Sequence, residues 1–236
     1  DLNTRVHLSA GALRVVAQAM EEAGVREPHR RRVVSDYRLE RLVDEGPGYQ
    51  DWHAVHVQVP DSVRRVRIYL ARQGATHEER LTLKRAAIRE FQLLENLAHP
   101  GILRVQNCHE HDLGSAVIFE HDPKAIRLDH FLSRRGPALD LTQRIDLVRQ
   151  LAEALRFAHE KKVFHRALSP RSVLVSAADT DRPRLKIFNW QLGSRGLGGG
   201  ESSSRDISAT AHADYLLDEQ AGVYLAPEAP SVDPLE

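Results

Sequence analysis

Apolar and polar positions alternate in short stretches through the first half of the chain and recur every three or four residues through much of the second. Over residues 9–24, Leu13, Val16 and Met20 fall at helical spacing, with Ser9 placed to cap and Gly24 to stop a helix. The basic run Arg26 to Arg32 follows and reads as a solvated linker. From Tyr37 the period shortens to two, which predicts strands at Tyr37–Val43, His53–Val59 and Val66–Leu70. Asp-Glu-Gly-Pro-Gly (Asp44 to Gly48) separates the first two, and Pro60-Asp61 marks a turn before the third. Leu83, Ala87, Phe91, Leu94 and Leu97 then line one face of an amphipathic helix ended by Pro100-Gly101. Two further strands are expected at Ile102–Asn107 and Ala116–Glu120, completing a five-stranded antiparallel sheet with one helix after its third strand.

The second half reads as mostly helical. A short helix begins at Leu128 to Leu132. A longer one, capped by Thr142, carries Ile145, Val148, Leu151, Leu155 and Ala158 as its apolar positions. A loop at His165–Ser172 leads into strands Val173–Val175 and Leu185–Phe188. The tract Gly193–Arg205, with three consecutive glycines and three consecutive serines (Ser202 to Ser204), offers almost nothing to bury and is expected to be mobile. No internal repeat is present.

Composition narrows the function classes. The 236 residues are 42% hydrophobic and 28% charged, the profile of a soluble globular protein with one domain or two lobes on a shared core. Thirty-three basic residues balance 33 acidic ones, which argues against a nucleic-acid binder driven by bulk charge. The single Cys108 excludes a disulfide framework and a Cys-rich zinc site, and reads as a buried, inert thiol. His109, His111 and His121 have no closing ligand set, so no metal is expected. No apolar stretch approaches membrane-spanning length and no signal peptide is evident, which leads to the expectation of a cytoplasmic protein without membrane contact. Starting at Asp1 and not Met, the chain is expected to be excised from a longer one.

The motifs carry a resemblance. His165-Arg166-Ala167-Leu168-Ser169-Pro170-Arg171-Ser172-Val173-Leu174 resembles the protein-kinase catalytic loop H-R-D-L-x-x-x-N and the strand after it. Ile187-Phe188-Asn189-Trp190-Gln191 stands where D-F-G is expected, and Leu225-Ala226-Pro227-Glu228 is similar to the A-P-E end of an activation segment. Upstream, Glu90 lies on the helix before His99-Pro100, and Tyr69 falls on the strand position of the phosphate-binding lysine. The resemblance implies an α+β, bilobal protein-kinase-like fold. It divides into a helical extension and basic linker (1–36), an N-lobe with its hinge (37–122) and a partial C-lobe (123–236). Only eight residues follow Glu228, so the C-lobe is expected to be truncated and Glu228 to lack its partner. The catalytic-loop phrase and Trp190-Gln191 also resemble the kinase-like region of large bacterial phage-growth-limitation and BREX phage-defence proteins.

Phosphoryl transfer is positioning plus charge stabilisation, so the charged positions decide what the resemblance implies. Ala167 replaces the base, Ser169 the following lysine, Ser172 the metal-binding Asn and Asn189 the metal-binding Asp. Mg²⁺ favours anionic oxygens, and both carboxylates are gone. Strand alternation turns Arg67 and Tyr69 toward the cleft, where a kinase places a small residue and a lysine. Of the glycine loop only Gly46 and Gly48 remain, and Asp51 in the third position would repel a triphosphate. What survives is architectural. Glu90, Leu94, His165 and Trp190 match positions that build the spine linking the lobes. Leu174 matches the cleft-lining leucine, Phe119 the gatekeeper and Glu120 to Asp122 the hinge.

These residues lead to a pseudokinase that works as a scaffold or regulatory module, with no cofactor, bound to other domains of a longer parent chain or to protein partners. An Arg67–Glu90 ion pair is expected to close its cleft. One alternative is an atypical serine/threonine kinase using ATP and Mg²⁺, with Arg67 for the lysine and Asp179 or Asp181 as base. Another is a nucleic-acid-associated domain of a defence assembly, supported by Arg26–Arg32.

Overall fold

Strands β2 (Tyr37–Gly46) and β3 (Tyr49–His56) form a hairpin whose turn is Pro47-Gly48, with Gly48 at a φ of 73° that a side chain would resist. The computed structural model describes residues 32–71, 74–195 and 224. β4 (Val63–Tyr69) pairs with β3 from Tyr49↔Tyr69 to Val55↔Val63, and β6 (Gly114–Phe119) pairs with both β4 and β5 (Val105–His111). A two-residue strand β1 (Val33–Val34) adds to β2, so the antiparallel sheet has six strands in the order β1-β2-β3-β4-β6-β5. The linker expected up to residue 36 therefore ends within the sheet.

Helix α1 (His77–Leu94) sits between β4 and β5, opened by a capping box in which Thr76 and Glu79 satisfy each other's backbone N–H groups. It ends at Leu94, earlier than Pro100-Gly101 implied, although Leu97 still packs into the core. The polypeptide then crosses to the C-lobe through β7 (Ile126–Arg127) and α2 (Leu128–Arg135). Helix α3 (Leu141–Glu160) follows, and β8 (Val163–Phe164), β9 (Val173–Ser176), β10 (Arg184–Ile187) and β11 (Ser194–Arg195) complete the described C-lobe. β10, β9 and β7 make one small sheet, and β11 pairs with β8.

Two expectations for α3 are corrected. Asp140, not Thr142, caps it, accepting from the Gln143 N–H at 2.7 Å. Ile145 and Val148 are 58% and 66% exposed, while Leu147, Ala154 and Ala158 face the core. Apolar spacing alone does not say which stripe of a helix meets a neighbour.

The largest apolar cluster spans both lobes and holds Tyr49, Tyr69, Leu94, Phe119, Leu174, Phe188 and Trp190. The opposite face of the N-lobe sheet carries a second cluster with Val66, Ile68, Ala116 and Ile118. Backbone bonds from Leu103 N–H to the Ile187 carbonyl (2.9 Å) and from Ile187 N–H to the Gly101 carbonyl (2.8 Å) tie the α1–β5 connection to β10. Cys108 is half-buried on β5, not fully buried, and burial pushes its thiol up. Gly193 to Arg195, the start of the glycine-serine tract, are placed against β8. The 9–24 helix, the basic run up to residue 31, the remainder of that tract and Glu228 lie outside the described residues. No helix among the described residues is long and apolar enough to cross a membrane.

Candidate functional site

Alternation along β4 sets the site. Val66 and Ile68 enter the outer cluster, which turns Arg65, Arg67 and Tyr69 toward the space between the lobes. Arg67 is 1% exposed, an extreme position for a guanidinium, and it survives there because its surroundings are built for it. Its Nε donates to Asp51 Oδ1 at 2.7 Å and its Nη2 to Asp51 Oδ2 at 2.8 Å. Nη1 donates to Glu90 Oε1 at 3.1 Å and to Gln191 Oε1 at 3.2 Å, and Nη2 also reaches Asn189 Oδ1. A guanidinium has five N–H donors, and here all of them have acceptors. The Tyr49 ring covers one face of the group, 4.0 Å from its central carbon.

Glu90, on α1, is fully buried and accepts from three directions. Arg67 reaches it from β4, the Tyr69 hydroxyl donates at 2.7 Å, and the Trp190 backbone N–H donates at 2.9 Å. The expected Arg67–Glu90 pair is therefore present, and Tyr69, in the lysine position, serves the same carboxylate as a neutral donor. Burial, with the Glu90 charge beside it, pushes the Tyr69 hydroxyl well above its ordinary value. Burial likewise pushes Tyr49 up to about 12.

In the sequence, Asp51 reads as the third position of the glycine loop, where its charge would repel a triphosphate. Instead it is wholly buried as the shared counterion of two arginines, Arg67 and Arg65, the latter donating from Nε at 2.8 Å. Burial alone would raise its carboxyl, but the Arg65 and Arg67 charges and hydrogen bonds outweigh that and hold it below the ordinary carboxylate range. Arg65 also lies over the Phe188 ring, 4.9 Å from its centroid. The sequence signal for this partnership was available: Asp51 stands directly opposite Arg67 in the β3–β4 register. Gln191, Arg65, Asp44 and Arg127 likewise escaped the reading of the sequence.

The catalytic-loop positions are occupied with local work. Ser172 Oγ accepts from the Ser169 N–H at 2.8 Å and donates to the Ser169 carbonyl at 2.8 Å, closing the Pro170–Ser172 turn upon itself. Ala167 has no side-chain polar atom, and Ser169 is buried. Asn189 adopts a φ of 63°, a left-handed conformation that Asn tolerates, and its amide is spent on Arg67 and the Arg171 carbonyl. His165 is buried and packs on Trp190, ring centroids 4.7 Å apart, while its Nε2 bonds the Phe188 carbonyl at 2.8 Å. Burial lowers His165 to about 4. The Trp190 indole donates to the Ile187 carbonyl at 3.5 Å. Glu90, Leu94, His165 and Trp190 thus meet, as do Phe119 and Leu174 within the same core.

Asp179 and Asp181 are not brought to this place. They lie in the turn between β9 and β10, whereas Val173↔Ile187, next to the catalytic loop and Asn189, is the other end of that hairpin. Four residues of strand separate the two ends by roughly 10 Å. No group of three or more metal-ligating side chains occurs among the described residues.

A family profile described as protein tyrosine and serine/threonine kinase matches residues 55–193, more than half of the chain. The chain belongs to the protein kinase family. It is 35% identical to "Probable kinase PglW" of Streptomyces coelicolor over 249 residues, covering 98% of this chain and 16% of that protein. That match agrees with the resemblance drawn from His165 to Leu174. It is also 24% identical to "Serine/threonine-protein kinase PknI" of Mycobacterium tuberculosis over 79% of this chain and 29% of that protein. Aurora kinase B of Danio rerio is 30% identical over 52% of this chain and 35% of its own length. The chain therefore spans only a part of each of these relatives.

Proposed function

We propose that this chain is a pseudokinase: a kinase fold whose phosphate side is filled by its own side chains and which transfers no phosphate. A pocket remains at the hinge, between Glu120, Asp122 and Leu174. The observation that carries this reading is the saturation of Arg67. With all five N–H donors engaged by Asp51, Glu90, Gln191 and Asn189, the cation beside the helix glutamate has nothing left for a phosphate oxygen. A nucleotide would have to break a buried network, and separating one half of a buried ion pair costs about 3–5 kcal/mol. Mg²⁺ fares no better, because Ser172 Oγ and Asn189 Oδ1 are committed elsewhere and neither is anionic.

A module of this kind works through its surface, as a scaffold or regulatory element. The match to 16% of a much longer relative favours a place within a multidomain protein, with other domains or protein partners as its ligands and a setting in bacterial phage defence. The second reading, an ATP-dependent serine/threonine kinase, is favoured by the resemblance to the mycobacterial kinase. It lacks a carboxylate at Ala167, and Asp179 and Asp181 stand at the wrong end of their hairpin.

Incubation of the purified chain with γ-labelled ATP, Mg²⁺ and generic protein substrates tests the choice. No incorporation into the chain or the substrates is expected. Transfer above background that an Asn189→Ala variant abolishes would overturn the pseudokinase reading in favour of the second.

A further inference from the structure

The charges at the cleft form one alternating chain that crosses from lobe to lobe. From Glu90 it passes to Arg67, Asp51, Arg65, Asp44, Arg127 and finally Asp129. Most of its links join neighbours within the N-lobe sheet or helix α1. Asp44 to Arg127 is different: Nη1–Oδ1 is 2.9 Å, and the two residues belong to the glycine hairpin of the N-lobe and to the start of α2 in the C-lobe.

Local structure shows how Asp44 comes to be there. The β2–β3 register steps from Leu42↔Trp52 to Asp44↔Asp51, leaving Val43 as an extra residue on β2. That bulge shifts the alternation by one and places Asp44 directly opposite Asp51. Two carboxylates facing each other across strands repel. Arg65 relieves the repulsion by bonding both, and Arg127 supplies the second cation, held in place by Asp129 through bonds of 3.1 and 2.8 Å.

Resting on the kinase-fold reading proposed above, we propose that Asp44–Arg127 is an interlobe latch that fastens the glycine hairpin onto the C-lobe and holds the two lobes in register. The Arg67 hub is sealed inside and cannot serve as the moving joint. The latch stands at the rim, its side chains 12% and 15% exposed, and one end sits on β2 beyond the bulge, next to the Pro47-Gly48 turn. Release of this link leaves Arg67, Asp51 and Glu90 paired, and leaves the hairpin tip held by the longer Arg65–Asp44 contact of 3.4 Å and by its bonds to β4 alone.

Hydrogen exchange of residues 44–48, ahead of the β3–β4 pairing, measured on the intact chain and on Asp44→Asn, Arg127→Gln and the double variant, tests the latch. Each single variant is expected to speed exchange there by about fivefold or more, with β4 and α1 unchanged, and the double variant to match the larger single effect. Arg127→Gln, at the C-lobe end, keeps the test decisive if Asp44→Asn fails to fold. Exchange in 44–48 unaltered by Arg127→Gln, or effects that simply add in the double variant, would overturn the latch. Phosphoryl transfer by the wild-type chain would sink the pseudokinase reading without moving these exchange rates, so the two fail separately.

Discussion

Arg67 grips Asp51 with two parallel bonds, Nε to Oδ1 and Nη2 to Oδ2, from the directly opposed position on the neighbouring strand. This fork geometry spends the face of the guanidinium that would otherwise meet an incoming anion. The remaining edge turns to Glu90 on α1, so one cation fixes the helix to the sheet without a ligand.

Glu90→Ala removes the acceptor for Arg67, Tyr69 and the Trp190 N–H together. A loss of about 3–5 kcal/mol is expected in urea unfolding, because buried donors are left unpaired. Lys84→Ala breaks only the Lys84–Glu110 pair, which is exposed on both sides, and is expected to cost under about 1 kcal/mol. Equal losses for the two variants would contradict the hub.

Part of that hub was legible in the sequence. The parity of Val66, Ile68 and Leu70 put Arg67 and Tyr69 on the inner face, and the helix before His99-Pro100 put Glu90 within reach. Asp51 was hidden because a glycine-loop register invites a phosphate-facing reading, whereas strand pairing makes it the partner of Arg67. Asp44 was hidden more deeply, since Asp44 to Gly48 reads as a turn, whereas β2 runs on to Gly46 and two register shifts, at Glu40 and Val43, set Asp44 opposite Asp51. The exposed Ile145 and Val148 fooled the periodicity for a related reason: a helix with apolar residues on several faces buries the one its neighbours select.

Restoring the transfer residues alone is expected to fail. In Ala167→Asp, Ser172→Asn, Asn189→Asp the new carboxylate at 189 would lie against Arg67 Nη2, where Asn189 Oδ1 already sits. It should strengthen the closure and raise the unfolding temperature, with no Mg²⁺-dependent phosphorylation. Transfer by this triple variant would show that the cleft admits ATP.

Acid should weaken the fold through His165. Its pKa falls from 6.5 to about 4 on burial, so the unfolded chain binds the proton first as pH drops. The contribution is complete above pH 6.5 and is lost as pH falls toward 4, at up to about 1.4 kcal/mol per pH unit. Urea midpoints from pH 7.5 to 4.5 measure it, and His165→Asn should flatten that part of the profile. An unchanged slope in the variant would remove His165 as the source.

Gly114 is held at a φ of 148°, and a Cβ there would stand 1.9 Å from the Tyr69 carbonyl oxygen. Gly114→Ala is expected to destabilise by about 1–3 kcal/mol or more, since the strand ends must part to admit it. A thermal scan within one degree of wild type would show that the β5–β6 turn yields freely.

The blocked phosphate side is tested most directly by calorimetric titration of the wild-type chain with ATP, with and without Mg²⁺. The saturated Arg67 and the committed Ser172 and Asn189 predict no heat of binding in either condition. Saturable binding strengthened by Mg²⁺ and abolished by Asn189→Ala would contradict it.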